Sequence, residues 1–296
     1  MKLTAIVDGD VVLHKLAYSV QKKGYFYKEN DVLNGPFFLQ KDLLQRFMLD
    51  RKELIKDVNF FEQIEVLDVD LDELLNNELY NIMGHVSRGT NVDVEFIFVR
   101  SPLNVKETNF RYKLPSLMKY KGSRGHKPMA YEALYNSEVW GQFDVREPGY
   151  GEADDLIAEL WSESPELSVI CSIDSDFKML PCMYYNINNW DFCRVTPTEA
   201  IKNFWLKVYE GDPADNIPGL YQCVKIIHGE KKARALSRAG YKNMMKGFAS
   251  DSDTLQIASR VIFAFLAQEI STEILGQTID LIRFRKQNGE YVFDYS

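Results

Sequence analysis

Nowhere in its 296 residues does the chain hold the ~20 consecutive apolar residues of a membrane-spanning helix. Histidine is scarce: His14, His85, His126 and His228 are scattered, and none recommends itself for catalysis. Cysteine is equally scarce. Cys171, Cys182, Cys193 and Cys223 form no CxxC, and no histidine stands at finger spacing, so a zinc centre is not expected. In a chain of this size without a leader, four such cysteines read as reduced thiols of a cytosolic protein. The opening stretch MKLTAIVDGDVV is broken by Asp8 and Asp10, which suits a buried strand entering a site and not a signal peptide. There is no internal repeat and no low-complexity tract. An apolar content of 46% and a charged content of 26% match an ordinary globule of one large domain or two smaller ones.

A general excess of basic residues is also missing. The net charge of −8 has the wrong sign for a protein that grips a polyanion. The distribution is uneven, however. From Arg100 to Lys127 there are eight Lys or Arg and one acid, Glu107, so this strip is +7 and the remainder −15. Such a run reads either as a solvated loop or as a surface that holds phosphates, with Arg111, Lys113, Lys119 and Lys127 as candidate contacts. Phe110, Tyr112 and Tyr120, interleaved with the charges, favour contact with a strand or its bases.

Apolar runs at Leu3–Val7, Val94–Val99, Ser168–Ile173 and Tyr184–Ile187 predict buried strands. Helices are predicted from Val11, over Tyr131–Val139 and over Glu152–Trp161. Residues 36–83 carry helical spacing, as in Phe38, Leu43, Leu44, Phe47 and Met48. After residue 197 the pattern turns helical, over Thr198–Tyr209, Lys231–Ala239 and Thr254–Ile270. A hairpin is expected at Asn288-Gly289. Strands alternating with helices predict an α/β fold with a mostly parallel central sheet flanked by helices. Ligands collect beyond the carboxyl ends of such strands.

Acids cluster there. Asp8 and Asp10 follow the first strand, and Asp174 and Asp176 the third. Glu152, Asp154 and Asp155 open a helix, and Asp212 and Asp215 lie in a Gly/Pro-rich turn. Singly, most of these have bland readings: acids suit a helix N-terminus, and Asp suits turns and caps. Asp8 differs, because a lone acid ending a buried strand is costly without a partner. Jointly, so many carboxylates aimed at one place call for cations between them. Hard divalent ions with oxygen ligands, Mg²⁺ or Mn²⁺, are the natural occupants. A pair of such metals suits phosphodiester hydrolysis.

VDGD, YKGSR, GEADD, SIDSDF and GDPADNIPG occur in that order over roughly residues 3–240. This series resembles the 5′-nuclease (flap endonuclease) superfamily, nearest to phage-encoded 5′→3′ exonucleases and the 5′-nuclease domain of bacterial DNA polymerase I. The resemblance implies a PIN-like sheet in a nuclease domain over 1–197, with a helical arch at about 100–130. A helix-turn-helix-like, DNA-gripping module over 198–296 would follow. It implies two or three Mg²⁺ or Mn²⁺ ions, with K⁺ as a further candidate near the module. Asp8, Glu152, Asp154 and Asp155 would hold the first ion, directly or through water, and Asp174, Asp176, Asp212 and Asp215 the second. Lys121 and Arg124 match the basic pair of the arch, and their spacing of three would put both on one helix face. Gly229, Lys231 and Lys232 match the phosphate-gripping turn. The implied partner is double-stranded or branched DNA with a 5′ end or flap, in a bacterial host's cytoplasm for a phage-encoded protein, and no membrane.

Two departures stand out. The strand Val94–Val99 ends not in the family's acid but in Arg100 and Ser101, leaving Asp10 or Asp93 to compensate. The link from Gly219 to Gly229 is longer and poorer in glycine than usual. The expected activity is metal-dependent 5′→3′ exonuclease and flap endonuclease cleavage. The missing acid supports a rival, a non-catalytic binder of branched DNA. A PIN-type ribonuclease is a second rival, but it gives no reason for GDPADNIPG and the helical module after it.

Overall fold

The computed structural model describes residues 2–29, 32–37, 59–123, 125–236 and 254–295. By compactness the chain divides into two units. One comprises Met1–Val11, Tyr80–His126 and Trp140–Ser296; the other comprises Val12–Leu79 and Lys127–Val139. In chain order the strands are β1 (Lys2–Asp8), β2 (Gln21–Glu29), β3 (Val32–Phe37), β4 (Asn59–Val66), β5 (Asp93–Val99), β6 (Asp144–Arg146), β7 (Ser168–Ser172), β8 (Met183–Asn186), β9 (Asp191–Arg194), β10 (Gly211–Asp212) and β11 (Ile217–Pro218).

The first unit is mixed α/β. Its six-stranded sheet has the order β6-β5-β1-β7-β8-β9. Five strands run parallel, and β9 turns back antiparallel on β8. The inner strands are the apolar runs of the sequence because both their faces are covered. Thus β7 is buried throughout, and β1 is buried from Ala5 onward. The edge strand β9, DFCR, is exposed at every position. From β1 the sheet grows outward through β5 and β6, then resumes on the other side of β1 with β7, β8 and β9. The winding therefore reverses at β1 and β7, the kind of crevice where open α/β sheets bind ligands.

Helix Ala153–Glu163 packs on β1, β5 and β7 through a face that includes Ile157, Ala158 and Trp161. Helix Pro197–Glu210 starts at a capping box. The Thr196 hydroxyl accepts the Glu199 N–H at 3.3 Å, and the Glu199 carboxylate accepts the Thr196 N–H at 2.8 Å. This helix packs on the 3-10 turn Ser175–Met179 and on helices Thr254–Leu266 and Thr272–Ile282. It ends at Gly211, whose φ of 77° and close approach to Gly219 (a Cβ would lie 2.2 Å from the Gly219 nitrogen) leave no room for a side chain. At the C-terminus, Arg285 and Tyr291 form an antiparallel bridge around Asn288-Gly289, the hairpin expected there.

The second unit carries an antiparallel sheet in the order β3-β2-β4. Helical spacing was expected across 36–83, yet Asn59–Val66 is a strand and the helix begins at Leu71, running to Thr90. The sequence NFFEQIEV is rich in aromatic and β-branched residues, and a pairing partner decides its state. Phe38, Leu43, Leu44, Phe47 and Met48 lie outside the described residues. Within the unit, Lys15 pairs with Glu78 at 2.8 Å and the His14 ring packs on Tyr131.

Candidate active site

Asp8 ends β1 and is buried. Its carboxylate accepts the Val11 N–H at 3.1 Å and the Ser172 hydroxyl, from the end of β7, at 2.7 Å. Asp174, two residues past β7, caps the turn Ser175–Met179 by accepting the Asp176 N–H at 2.8 Å, and its own N–H donates to the Ser172 hydroxyl at 3.0 Å. Asp154 lies in the first turn of helix Ala153–Glu163. Burial, then Asp10, pushes Asp8 up to about 7, and Asp174 adds to the effect. Burial, then Asp8, Asp174 and Glu152, raises Asp154 well above the ordinary carboxylate range. Three acids from distant stretches therefore share one electrostatic neighbourhood. Among the described residues none of the three has a Lys or Arg ion-pair partner.

The other predicted acids are already paired. Asp155 is fully buried and takes a two-pronged contact from Arg111, at 2.6 and 2.9 Å, together with the N–H groups of Glu152 and Arg285, each at 3.0 Å. All its acceptor sites are thus spent inside the protein, which is at odds with metal ligation by Asp155. Glu152 accepts the Tyr120 hydroxyl at 2.7 Å and is bonded by Lys121. Burial would raise Glu152, but Lys121 and Arg111 hold it below the usual value. Lys121 also stands 3.6 Å from Asp215, and the Tyr120 hydroxyl reaches the same carboxylate at 3.1 Å. Lys207 bonds Asp176 and, at 2.8 Å, Asp212. Burial and Asp174 push Asp176 up to about 6 despite that lysine. Burial acts in the same sense on Asp212, where Lys207 outweighs it and the carboxyl stays low.

The basic strip also differs from its sequence reading. Arg111 is buried; besides Asp155 it donates to the carbonyls of Leu281 at 2.8 Å and Arg283 at 2.9 Å. That environment corrects its assignment as a DNA contact. Lys121 has φ 50° and sits in a turn, its N–H donating to the Asp215 carbonyl at 2.7 Å. The helix face expected to present Lys121 with Arg124 is therefore not formed at Lys121, and Arg124 lies outside the described residues. Helical structure in the strip is confined, among the described residues, to Val105–Thr108 and the 3-10 turn Phe110–Lys113. Lys113, Lys119 and Lys127 are exposed. Further on, helix Leu220–His228 ends at Gly229 (φ 90°), and a second helix covers 230–236, its predicted end at 239 falling outside the described residues. The Gly229 N–H is used by the Lys225 carbonyl at 3.1 Å. Lys231 is exposed, and Lys232 lies 3.6 Å from Glu269.

After β5, where an acid was expected, Ser101 takes a structural part. Its N–H donates to Asp10 at 3.0 Å and its hydroxyl accepts the Ala153 N–H at 2.9 Å, capping the helix that carries Asp154. Arg100 pairs with Glu147 at 2.8 Å and lies over the Trp140 ring. Asp93 starts β5, at the strand's opposite end. Sequence reasoning missed Lys207 and Ser172, and named Ser101 only as a departure. It read Tyr120 and Phe110 as strand or base contacts, but both are buried, and the Tyr120 hydroxyl is turned onto Glu152 and Asp215. Of the two missed residues Lys207 carried a signal, as a cation in the last turn of a helix that feeds an acidic loop.

Among the described residues no three acidic, His or Cys side chains close into a metal cage. The donor set of Asp8, Asp154 and Asp174 nevertheless fits a hard divalent ion: all ligands are carboxylate oxygens, none has a Lys or Arg ion-pair partner among the described residues, Lys121 offsets Asp154 only in part, and an ion would relieve the crowding that raises Asp8 and Asp154. Mg²⁺ is commonly held by one or two carboxylates while keeping several waters.

No protein-family model matches the sequence, and no curated protein does. The chain is similar to the crystal structure of a variant of the bacteriophage T5 D15 flap endonuclease, a pseudo-enzyme–product complex with DNA and metal ions. The identity is 13% and the TM-score 0.42, over 95% of this chain and 98% of that one. A likeness of that size gives no residue a role.

Proposed function

We propose that this chain is a divalent-metal-dependent 5′→3′ exonuclease and flap endonuclease, hydrolysing DNA phosphodiesters near 5′ ends. One observation carries the reading: Asp8, Asp154 and Asp174 converge electrostatically at the strand ends where the winding reverses, and among the described residues none of them has a Lys or Arg ion-pair partner. Asp8, Asp154 and Asp174 would hold Mg²⁺ or Mn²⁺, directly or through water. When bound, such an ion supplies an activated water and charge for the scissile phosphate. Lys121, poised between Glu152 and Asp215, would neutralise that phosphate. Exposed Lys113, Lys119 and Lys231 would hold the DNA backbone, so that structure rather than sequence is recognised. Residues 198–296 would act as the duplex-gripping module, with K⁺ a candidate near Gly229. Replication or DNA turnover in a bacterial cytoplasm is the setting this reading implies.

A 5′-labelled flap substrate tests it. Cleavage in Mg²⁺ that EDTA abolishes is expected, and Asp174→Ala should lose cleavage while retaining DNA binding. Wild-type activity of that variant in Mg²⁺ removes the metal assignment. One observation favours a non-catalytic binder of branched DNA: Arg100 and Ser101 stand where a further carboxylate was expected, both in structural bonds. Binding of the flap without cleavage in either Mg²⁺ or Mn²⁺ would select that reading.

A further inference from the structure

We propose that Lys207 is a built-in cation that permanently occupies the second half of the carboxylate cluster, so that the protein binds one divalent ion and not two. The inference rests on the hydrolase reading, since it concerns how many ions that chemistry uses here.

The bonding of Asp176 and Asp212 is the first ground. The Lys207 ammonium bonds both carboxylates. On Asp212, Oδ1 accepts the N–H groups of Ala214 at 2.8 Å and Asp215 at 3.2 Å, while Oδ2 accepts Lys207. The pair is thus reduced from two negative charges to one, and Asp212 has little acceptor capacity left. An entering ion would have to expel the ammonium and break these contacts.

Helix Pro197–Glu210, which carries Lys207, holds the ammonium in place. One turn earlier on the same face, Asn203 donates to the Lys178 carbonyl at 2.8 Å, fastening the helix to the turn that bears Asp176. At the other end the Gly211 N–H caps onto the Lys207 carbonyl, and Asp212 follows directly. The lysine is therefore fixed between the two loops it bridges, with its side chain 20% exposed. Asp8, Asp154 and Asp174 present the opposite case, with no such cation among the described residues. Electrostatic need for a metal is concentrated on that trio.

Mn²⁺ stoichiometry tests the proposal, measured by calorimetry and by the electron paramagnetic resonance of unbound Mn²⁺ on the metal-free full chain. One equivalent is expected for the wild type and for Lys207→Arg, and a second equivalent for Lys207→Met. Two equivalents in the wild type, or a folded Lys207→Met that still takes one, overturns the proposal. Asp176→Asn serves if Lys207→Met does not fold. Its Mn²⁺ affinity should stay within about threefold of wild type, and a loss of tenfold or more, the scale of a disturbed metal site, overturns the assignment. Flap cleavage measured in parallel separates the two ideas. Cleavage with two bound ions defeats the lysine's role and leaves the hydrolase. One bound ion without cleavage supports the lysine's role and defeats the hydrolase. No bound Mn²⁺ overturns the lysine's role.

Discussion

Asp155→Ala should cost the protein much of its stability without any metal present. The carboxylate is fully buried and accepts four hydrogen bonds, two of them from Arg111. Deleting it leaves the guanidinium buried, with the Leu281 and Arg283 carbonyls as acceptors and, as countercharge, only Glu152 at 3.9 Å, which Lys121 already bonds. Burial already works against that charge, and Asp155 is the first contact that upholds it. Removing one partner of a buried ion pair typically costs ~3–5 kcal/mol. The stranded N–H groups of Glu152 and Arg285 push towards the upper end. With an unfolding entropy of ~2.1 cal/mol/K per residue, a chain of this length loses about 5–8 °C of Tm. Calorimetry in EDTA reads this directly. Replacing both partners by apolar residues, Arg111→Met with Asp155→Leu, should recover most of the loss. If Asp155→Ala in EDTA melts within about 2 °C of wild type, the carboxylate is not a structural counter-ion. Metal ligation is then restored as its role, since a ligand's loss is felt chiefly when the ion is bound.

Two further outcomes follow from shifted titrations. Asp8 is held at about 7, above the roughly 3.9 of an unfolded Asp, so across that window the native state binds a proton that the unfolded state has released. Metal-free stability should therefore fall as pH rises from about 4 to about 7, Asp8→Asn should flatten the fall, and a Tm in EDTA that climbs over pH 5–7 would refute the assignment. Burial raises the thiols of Cys182 to about 12 and Cys223 to about 11, and raises buried Cys171 as well, whereas Cys193 is exposed. A thiol reagent at pH 8 should modify Cys193 alone in the native protein and all four after denaturation; rapid native labelling of Cys223 would contradict the packing of helix Leu220–His228.

The inner strands were legible because a strand covered on both faces must be apolar throughout, as β7 is with its five buried residues. The acids were legible for a related reason: Asp8 follows such a run directly, and a charge there has no bland explanation. The edges were not. β9 has no buried residue to mark it, and β6 is three residues long. Nor was β4, since aromatic and β-branched residues take either state until a partner strand is supplied, and β2 supplies it from across the sequence.

Pairing within the site was less legible still, because it depends on which cation reaches which acid. Arg111 lies in a +7 strip and reads as solvated or phosphate-bound, yet its partner is 44 residues away on a helix. Lys121 reads as one member of a helical pair, yet its positive φ turns the chain so that the ammonium lies between Glu152 and Asp215. Both cations face inward, which weakens the strip as a polyanion surface and leaves the proposed DNA grip to its exposed lysines. The same sorting changes how the acids count. A sequence shows eight candidate carboxylates and invites several ions. Once Arg111 is assigned to Asp155, Lys121 to Glu152 and Asp215, and Lys207 to Asp176 and Asp212, three remain. Two of those three, Asp8 and Asp154, are pushed up by burial and by acidic neighbours, which is the state a divalent ion relieves most. On the proposed reading, the demand for metal is therefore set by the carboxylates left over after the protein's own cations are placed, and not by the number of carboxylates in the motifs.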